Sequence, residues 1–467
     1  MILEEAGPAH TCMRVPFCRL TRTMHVLHMF VSWVHRRREL ASLARRLLRS
    51  ETSLFSKTIQ GLRHDNPIMR EKAARDLSEW MERGLNPVEG VEALRFAAQP
   101  FPPRMESTWR GYDVLLVELA QSDPHPSYVH IIRDSFAMYS IEARWEALIL
   151  LSAIPDRGAA YAFTDLLSLA MRQHDFNVLP VAPLTGEPRF PDIFFPDLFD
   201  YLDAPQHAES VWSVTLRFCE EGLLRASNLR PVCDKLVADY RALKVALFSA
   251  QRSDGTAWMW EESYSGLRYK AALLLDLMGF VRSDSVITEL VEALAFTDPR
   301  LKAFAMLSLI RHDRVPRFHH RVAVAQSPET RNLLMDRLRA MGREDLFPIE
   351  YSTQDAFAES DLASWLVFPT ELGRAPDHIE LMQVEVMNNP EDTEGGELEI
   401  YLFRFRVKKP HWASEKGWMA GISGPFPCAG DATTDSLGAT FSCFESWDSQ
   451  TPVEHLESIL GLFDSRS

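Results

Sequence analysis

The sequence contains few residues arranged as they are in known catalytic sites. Gly421–Gly424, with the sequence GISG, partly matches the turn that presents a serine nucleophile, but Pro425 follows it and no parallel-sheet pattern surrounds it. His319 and His320 have no Cys or carboxylate at metal-ligand spacing. The patterns GxxxxGK(S/T), GxGxxG and HExxH do not occur. We therefore predict no catalytic residue, no metal site and no cofactor.

A proline-rich segment, residues 174–206, is a candidate for contacting a protein partner. Its six prolines exclude a continuous helix, and its aromatic residues include Phe194 and Phe195. Long loops of this kind are uncommon unless they are ordered or functional. These rings are expected either to pack on the neighbouring helices or to form a partner-binding loop.

A second interruption of the helical pattern, residues 251–266, combines aromatic and acidic side chains. The candidate partner-binding residues in it are Trp258, Trp260, Glu261 and Glu262. Large rings with a polar rim are frequent at recognition surfaces. A capped helix start that buries the tryptophans would give the same pattern, and the sequence leaves both interpretations open.

Positive charge near the C-terminus is concentrated in one basic-aromatic patch. The region after Phe368 holds seven basic and seventeen acidic residues. The candidate binding residues of the patch are Arg404, Arg406, Lys408, His411 and Trp412. A local excess of one sign of charge attracts a partner of the opposite sign, so we expect the patch to dock on an acidic surface. A hairpin that buries its tryptophans is the alternative.

A short motif recurs through the part of the chain that has helical periodicity. It consists of a basic residue, Ala three positions later and Leu seven positions later, and it starts at Arg70, Arg144, Arg268 and Lys302, with weaker copies at Arg110 and Arg331. Turn residues Asn66-Pro67 and Asp298-Pro299 precede two of the copies. A small Ala allows close helix approach, and an Arg can bond helix-end carbonyls or a nearby Asp.

In this recurrence the chain resembles the HEAT-repeat, or armadillo-like, family of α-solenoids over residues of about 36–347. The resemblance implies stacked helix pairs that offer an extended surface to a protein chain. It also leaves an enzyme open as the alternative, because HEAT-like scaffolds occur in DNA alkylpurine glycosylases and bilin lyases. The period cannot be followed between residues 158 and 262.

The C-terminal residues, 377–467, change to a strand-like pattern. Predicted strands, rich in β-branched and aromatic residues, are His378–Met387, Glu397–Lys408, Trp418–Ser423 and Ala439–Phe444. Pro452–Phe463 is apolar at helical spacing. We predict a mostly α chain that ends, after a linker over residues 348–376, in a small α+β domain with an antiparallel sheet of about four strands.

Charge and hydropathy restrict the class of partner and the compartment. Lys and Arg number 50 and Asp and Glu 65, a net charge of −15, which disfavours an extended nucleic-acid surface. Six Cys are too few for a disulfide scaffold, so the cytoplasm is expected. Near the start, the longest apolar stretch, Val26–Val34, is too short to span a bilayer.

The N-terminal residues, 1–35, form an irregular extension in this interpretation, and we hypothesise that translation starts near Met29. Arg36–Arg49 form an amphipathic basic helix. It is expected to be the first helix of the array, and a helix lying on an anionic membrane is the alternative.

These features predict a non-enzymatic scaffold or adaptor that binds a protein partner on its helical surface. A bacterial adaptor and an antidote of the immunity type that wraps a toxin both fit. A small-molecule ligand is not expected.

Overall fold

The computed structural model describes residues 54–103, 110–184, 188–252, 257–388, 396–407, 417–428, 430–436 and 441–464. The predicted extension, the basic helix at Arg36–Arg49, and Lys408, His411 and Trp412 lie outside the described residues. The chain divides into two compact units, one ending at Phe176 and one starting at Asn177.

The first unit consists of helices packed in two layers. Its helices are α1 Pro67–Arg83, α2 Pro87–Ala97, α3 Tyr112–Gln121, α4 Tyr128–Ser135, α5 Ile141–Ala153 and α6 Arg157–Arg172. Residues 54–61 are also helical. In one layer α1, α3 and α5 pack in succession, and in the other α2, α4 and α6 do so. The apolar residues between the layers form the core of this unit.

The second unit continues with helices and ends in a sheet. Its helices are α7 Pro191–Phe194, α8 Pro205–Glu220, α9 Ala226–Leu229, α10 Cys233–Ala250, α11 Glu262–Met278, α12 Asp284–Ala293, α13 Pro299–Arg311, α14 Phe318–Gln326, α15 Pro328–Ala340, α16 Gln354–Leu366 and α17 Pro452–Asp464. The helices α8, α11, α13, α15 and α16 pack in succession. Helices α12 and α14 both pack against α13.

The predicted breaks at Asn66-Pro67 and Asp298-Pro299 are the starts of two helices. Asn66 accepts a hydrogen bond from the backbone N–H of Ile68 at 2.9 Å, and α1 begins at Pro67. Asp298 accepts one from the N–H of Arg300 at 2.9 Å, and α13 begins at Pro299. Each cap satisfies one of the N–H groups that a helix start leaves unpaired, and proline there loses no hydrogen bond.

The recurring motif has the same structural role in three of its six copies. Arg70, Arg144 and Arg331 donate to carbonyl oxygens at or just after the end of the preceding helix. The acceptors are His64, Phe136 and Ala325, at 2.9, 3.1 and 2.8 Å. Arg268 instead pairs with Asp298. The motif alanines at 73, 147, 271 and 305 are buried, which confirms the expected close helix packing.

The predicted strands are confirmed as an antiparallel sheet. The strands are β1 His378–Asn388, β2 Glu397–Arg406, β3 Met419–Pro427 and β4 Phe441–Ser446, in the order β1-β2-β3-β4. One face packs Tyr401, Phe403 and Phe405 under α16. The other packs Ile400 and Leu402 with residues of α17.

The predicted linker over residues 348–376 is wrong in its central part. Helix α16 occupies this range, and its buried Ala358, Leu362 and Leu366 cover the sheet. This burial gives the segment a stable packing partner, which isolated helices of this length lack. Within the described residues, no helix combines the length and the apolar character needed to cross a bilayer.

Candidate protein-binding edge of the C-terminal sheet

Strand β1 forms an edge of the sheet, since β2 is its one hydrogen-bonded neighbour among the described strands. It has 11 residues, and at roughly 3.3 Å per residue it is about 36 Å long. One row of its backbone N–H and C=O groups points away from β2. Such a row is a ready template for pairing with another strand.

The register with β2 gives β1 an apolar face and a polar face. Ile379, Leu381 and Val384 lie opposite buried aromatic residues of β2, namely Phe405, Phe403 and Tyr401. Directly opposite residues share a face. The polar face carries His378, Glu380, Gln383 and Glu385, opposite Arg406, Arg404, Leu402 and Ile400.

The apolar face of β1 extends beyond the cover of α16. The core cluster beneath α16 takes in residues of β2 and β3, whereas from β1 it includes Ile379 alone, at its periphery. Leu381 and Val384 are each 41% exposed and Val386 is 51% exposed. An apolar row next to unpaired strand backbone is typical of a site that takes a partner strand.

A basic-aromatic cluster lies at the His378 end of the strand. The guanidinium carbons of Arg404 and Arg406 lie 4.5 and 4.6 Å from the ring centroid of Trp418, within the range of cation–π attraction. Arg404 Nε also donates to Glu380 at 2.8 Å. Arg406 has no ion pair among the described residues.

Tyr401 of β2, which lies opposite Val384 of β1, is held in place by a hydrogen bond. Burial raises the pKa of its hydroxyl, and the hydrogen bond to Glu399 raises it further. The hydroxyl therefore stays protonated and donates to the carboxylate. This contact holds the Tyr401 ring beside Phe403, with 6.5 Å between the ring centroids.

The aromatic residues predicted in the proline-rich segment are buried. Phe194 and Phe195 are 1% and 7% exposed, and the Phe195 ring packs on Phe199 and Phe218, with centroids 4.9 and 6.0 Å apart. The packing interpretation therefore accounts for them. The expectation that Phe194 and Phe195 bind a partner is therefore corrected, because both rings are buried in the folded chain.

The second predicted aromatic group also packs at a helix start. Trp258 is 3% exposed and contacts the ring of Tyr264. Trp260 lies over the guanidinium of Arg268, which is 4.7 Å from its ring centroid. Trp258 is therefore corrected to a core residue, and Trp260 is partly covered.

The acidic residues of that group keep exposed side chains. Glu261 forms an ion pair with Arg252 at 2.8 Å. Glu262 is exposed at the first position of α11. Their predicted role at a partner surface stays a prediction.

The GISG motif and the His319-His320 pair, which the sequence singled out as weak signals, lie within regular secondary structure. Ser423 is buried within β3, and its hydroxyl donates to Asp361 at 2.8 Å. His319 and His320 lie at the start of α14 with ring centroids 4.0 Å apart. Among the described residues, no group of three or more His, Cys, Asp or Glu side chains is placed to hold a metal ion.

The exposed residues of β1 are the part of the site that the sequence prediction missed. The strand itself was predicted, and the alternation of Gln383 and Glu385 with Val384 and Val386 was a visible signal of two unlike faces. When the chain is compared with known proteins, no family model, no curated protein and no solved structure matches it. The geometry of β1 is therefore the strongest basis for a functional proposal.

Proposed function

We propose that the protein is a non-enzymatic adaptor that binds a protein partner by adding a strand of that partner to β1. The observation that carries the proposal is the long edge strand with an uncovered apolar face. Main-chain hydrogen bonds would supply affinity, and Leu381, Val384 and Val386 would select alternate apolar side chains of the partner strand.

The charges near β1 define the chemistry of this partner. Arg406 and Trp418 lie at the His378 end of the strand, and Arg406 has no ion pair among the described residues. The partner is therefore a strand with apolar residues at alternate positions and an acidic residue near the His378 end. This proposal keeps the acidic partner that the sequence predicted and adds main-chain hydrogen bonds between the partner strand and β1.

The helices support the same class of function. Copies of the motif lie in α1 and α5 of the first unit and in α11, α13 and α15 of the second. We propose that these are HEAT-like repeats, whose stacked helix pairs serve as a scaffold for a bound chain.

The test is site-specific photo-crosslinking in an extract of the native host. A benzophenone amino acid at position 386 should yield one covalent adduct of defined mass at 1:1 stoichiometry. The matched control carries the same group at Ile349, which is 81% exposed and lies outside the sheet.

Two variants connect the adduct to the strand. Leu381→Lys and Val384→Lys place charge on the apolar face and should reduce capture of the partner at least about tenfold, a change of roughly 1.4 kcal/mol in binding. Ile349→Lys should leave capture unchanged. Equal capture by all three variants, or recovery of the chain alone, would overturn the proposal.

A further inference from the structure

One segment of the second unit has an excess of positive charge in an acidic chain. Residues 299–328 contain six Arg and Lys residues and one Asp, a net charge of +5, whereas the whole chain carries −15. Three His residues lie in the same segment. The segment forms α13, a connection over residues 312–317, and α14.

A pocket of about 490 Å³ lies where this segment meets α12. Ile287, Val291 and Leu294 line it from α12 and the residue that follows it, and Leu309 lines it from α13. Val315 and Pro316 complete its apolar wall. This volume falls within the range that small-molecule sites occupy.

The mouth of the pocket is cationic. Arg314, Arg317, His319 and His320 line it, and none of the lining residues is acidic. Arg314 and Arg317 are exposed and have no ion pair among the described residues. Cations held together without a carboxylate repel one another, and an anion placed between them removes that cost.

The surroundings of His320 favour an anion beside its ring. Burial lowers the pKa of His320, and the positive charges of His319, Lys302 and Arg317 lower it further. His319 belongs to α14, Lys302 to α13 and Arg317 to the connection between them. All the charged groups that act on the ring are therefore positive. A bound anion would raise the pKa of His320.

We propose that this pocket binds a small amphipathic anion. Its carboxylate or phosphate head lies against Arg314, Arg317 and His320, and its alkyl chain lies along Ile287, Val291 and Leu309. This ligand class differs from the sequence expectation of no small-molecule ligand. The site is independent of β1, so its failure leaves the proposed function untouched.

Calorimetric titration of the full chain with octanoate tests the site. Acetate and octan-1-ol are the matched probes, because each lacks one half of the ligand. Octanoate or octyl phosphate should bind at least about tenfold more tightly than either, since both the charge and the chain contribute. Nuclear magnetic resonance should show the pKa of His320 rising when octanoate is present.

Variants assign the binding to the pocket. Arg317→Glu should weaken octanoate binding about tenfold by reversing one charge at the mouth, and Val291→Asp should weaken it by a similar factor. Arg172→Glu, an exposed arginine on α6, is the control and should bind as the unchanged protein does. No detectable octanoate binding, or binding that is equal in all three variants, would overturn the proposal.

Vesicle flotation identifies the source of the anion. Recovery of the chain with phosphatidylglycerol vesicles, lost in Arg317→Glu, assigns the ligand to a membrane lipid. Octanoate binding without recovery on vesicles assigns it to a free molecule.

Discussion

Arg268 donates to both carboxylate oxygens of Asp298, from Nε at 2.7 Å and from Nη2 at 3.0 Å. The same Nη2 pairs with Glu329 at 2.8 Å, and the hydroxyl of Tyr264 donates to Asp298 at 3.1 Å. Arg268, Asp298 and Tyr264 are buried and the Glu329 side chain is 8% exposed. Together they connect α11 with α13 and the start of α15. Buried charges are stable only when each has its partners, so the network depends on all its members.

Removal of the central cation should destabilise the second unit. Arg268→Leu leaves the buried Asp298 without a guanidinium partner and leaves Glu329 with the longer pair to Arg300 at 3.8 Å. We expect a loss of about 3–5 kcal/mol in the free energy of unfolding. Urea denaturation followed by circular dichroism measures it. The control is Arg252→Leu, which breaks the exposed pair with Glu261 and should cost less than about 1 kcal/mol. Equal losses in the two variants would contradict the idea that the buried Arg268 network contributes more to stability than the exposed pair does.

The position of Gly90 in the first unit has no space for a side chain. A Cβ at Gly90 in α2 would lie 2.0 Å from the hydroxyl oxygen of Tyr128 in α4. We expect Gly90→Ala to lower the free energy of unfolding by about 1–3 kcal/mol, because α2 and α4 must move apart.

The matched control for that substitution is Gly266→Ala in α11, where an added Cβ meets no atom within 4 Å. This variant should be stabilised by roughly 0.5–1 kcal/mol, since alanine favours the helix. Thermal denaturation should show a lower melting temperature for Gly90→Ala and a higher one for Gly266→Ala. Destabilisation of Gly266→Ala would show that the space around it is occupied.

The stability of the protein should fall on mild acidification. Burial lowers the pKa of His207, His312 and His320 below the ordinary value of 6.5. The unfolded chain therefore binds protons at a higher pH than the folded chain, and stability present above pH 6.5 is lost as the pH falls from there toward the folded pKa values. Urea denaturation at pH 7.5, 6.5 and 5.5 should show a decreasing midpoint. His207→Leu should have a smaller decrease, and a midpoint that rises on acidification would contradict the assignment.

Two cysteines should differ in reactivity. Burial raises the pKa of the Cys219 thiol to about 12, whereas Cys233 is only partly buried. At pH 8 iodoacetamide should modify Cys233 in the folded protein and leave Cys219 unmodified, because the thiolate is the reactive form. Peptide mass spectrometry with and without urea measures this. Modification of Cys219 at the rate of Cys233 without urea would show that α8 opens readily.

The sequence predicted the elements whose residues repeat strongly and locally. In β2, Tyr401, Phe403 and Phe405 alternate with Leu402, Arg404 and Arg406. The helix starts at Pro67 and Pro299 follow capping residues. Helix α16 was missed because several of its buried residues, such as Ala358, Ser360 and Ala363, are small or polar. The side of this helix that is buried is set by its contact with the sheet.

The candidate site was predictable only in part. Aromatic residues beside acidic ones are found both in cores and at surfaces, so the sequence left open whether Phe195 and Trp258 contact a partner or pack in the core, where both are buried. Exposure of Leu381 and Val386 depends on which strand lies at the edge and on how far α16 extends. Both are properties of tertiary packing that no local pattern contains.

The two glutamates of β1 affect how the free protein behaves in concentrated solution. In the antiparallel register that places Leu381 of one copy opposite Val384 of another, Glu380 of each copy faces Glu385 of the other. Like charges directly opposite one another destabilise strand pairing. The strand is thereby protected from self-association in that register, while a foreign strand without these charges meets no such repulsion. The arrangement opposes pairing of two copies through this edge in that register and leaves the edge open to the partner strand proposed above.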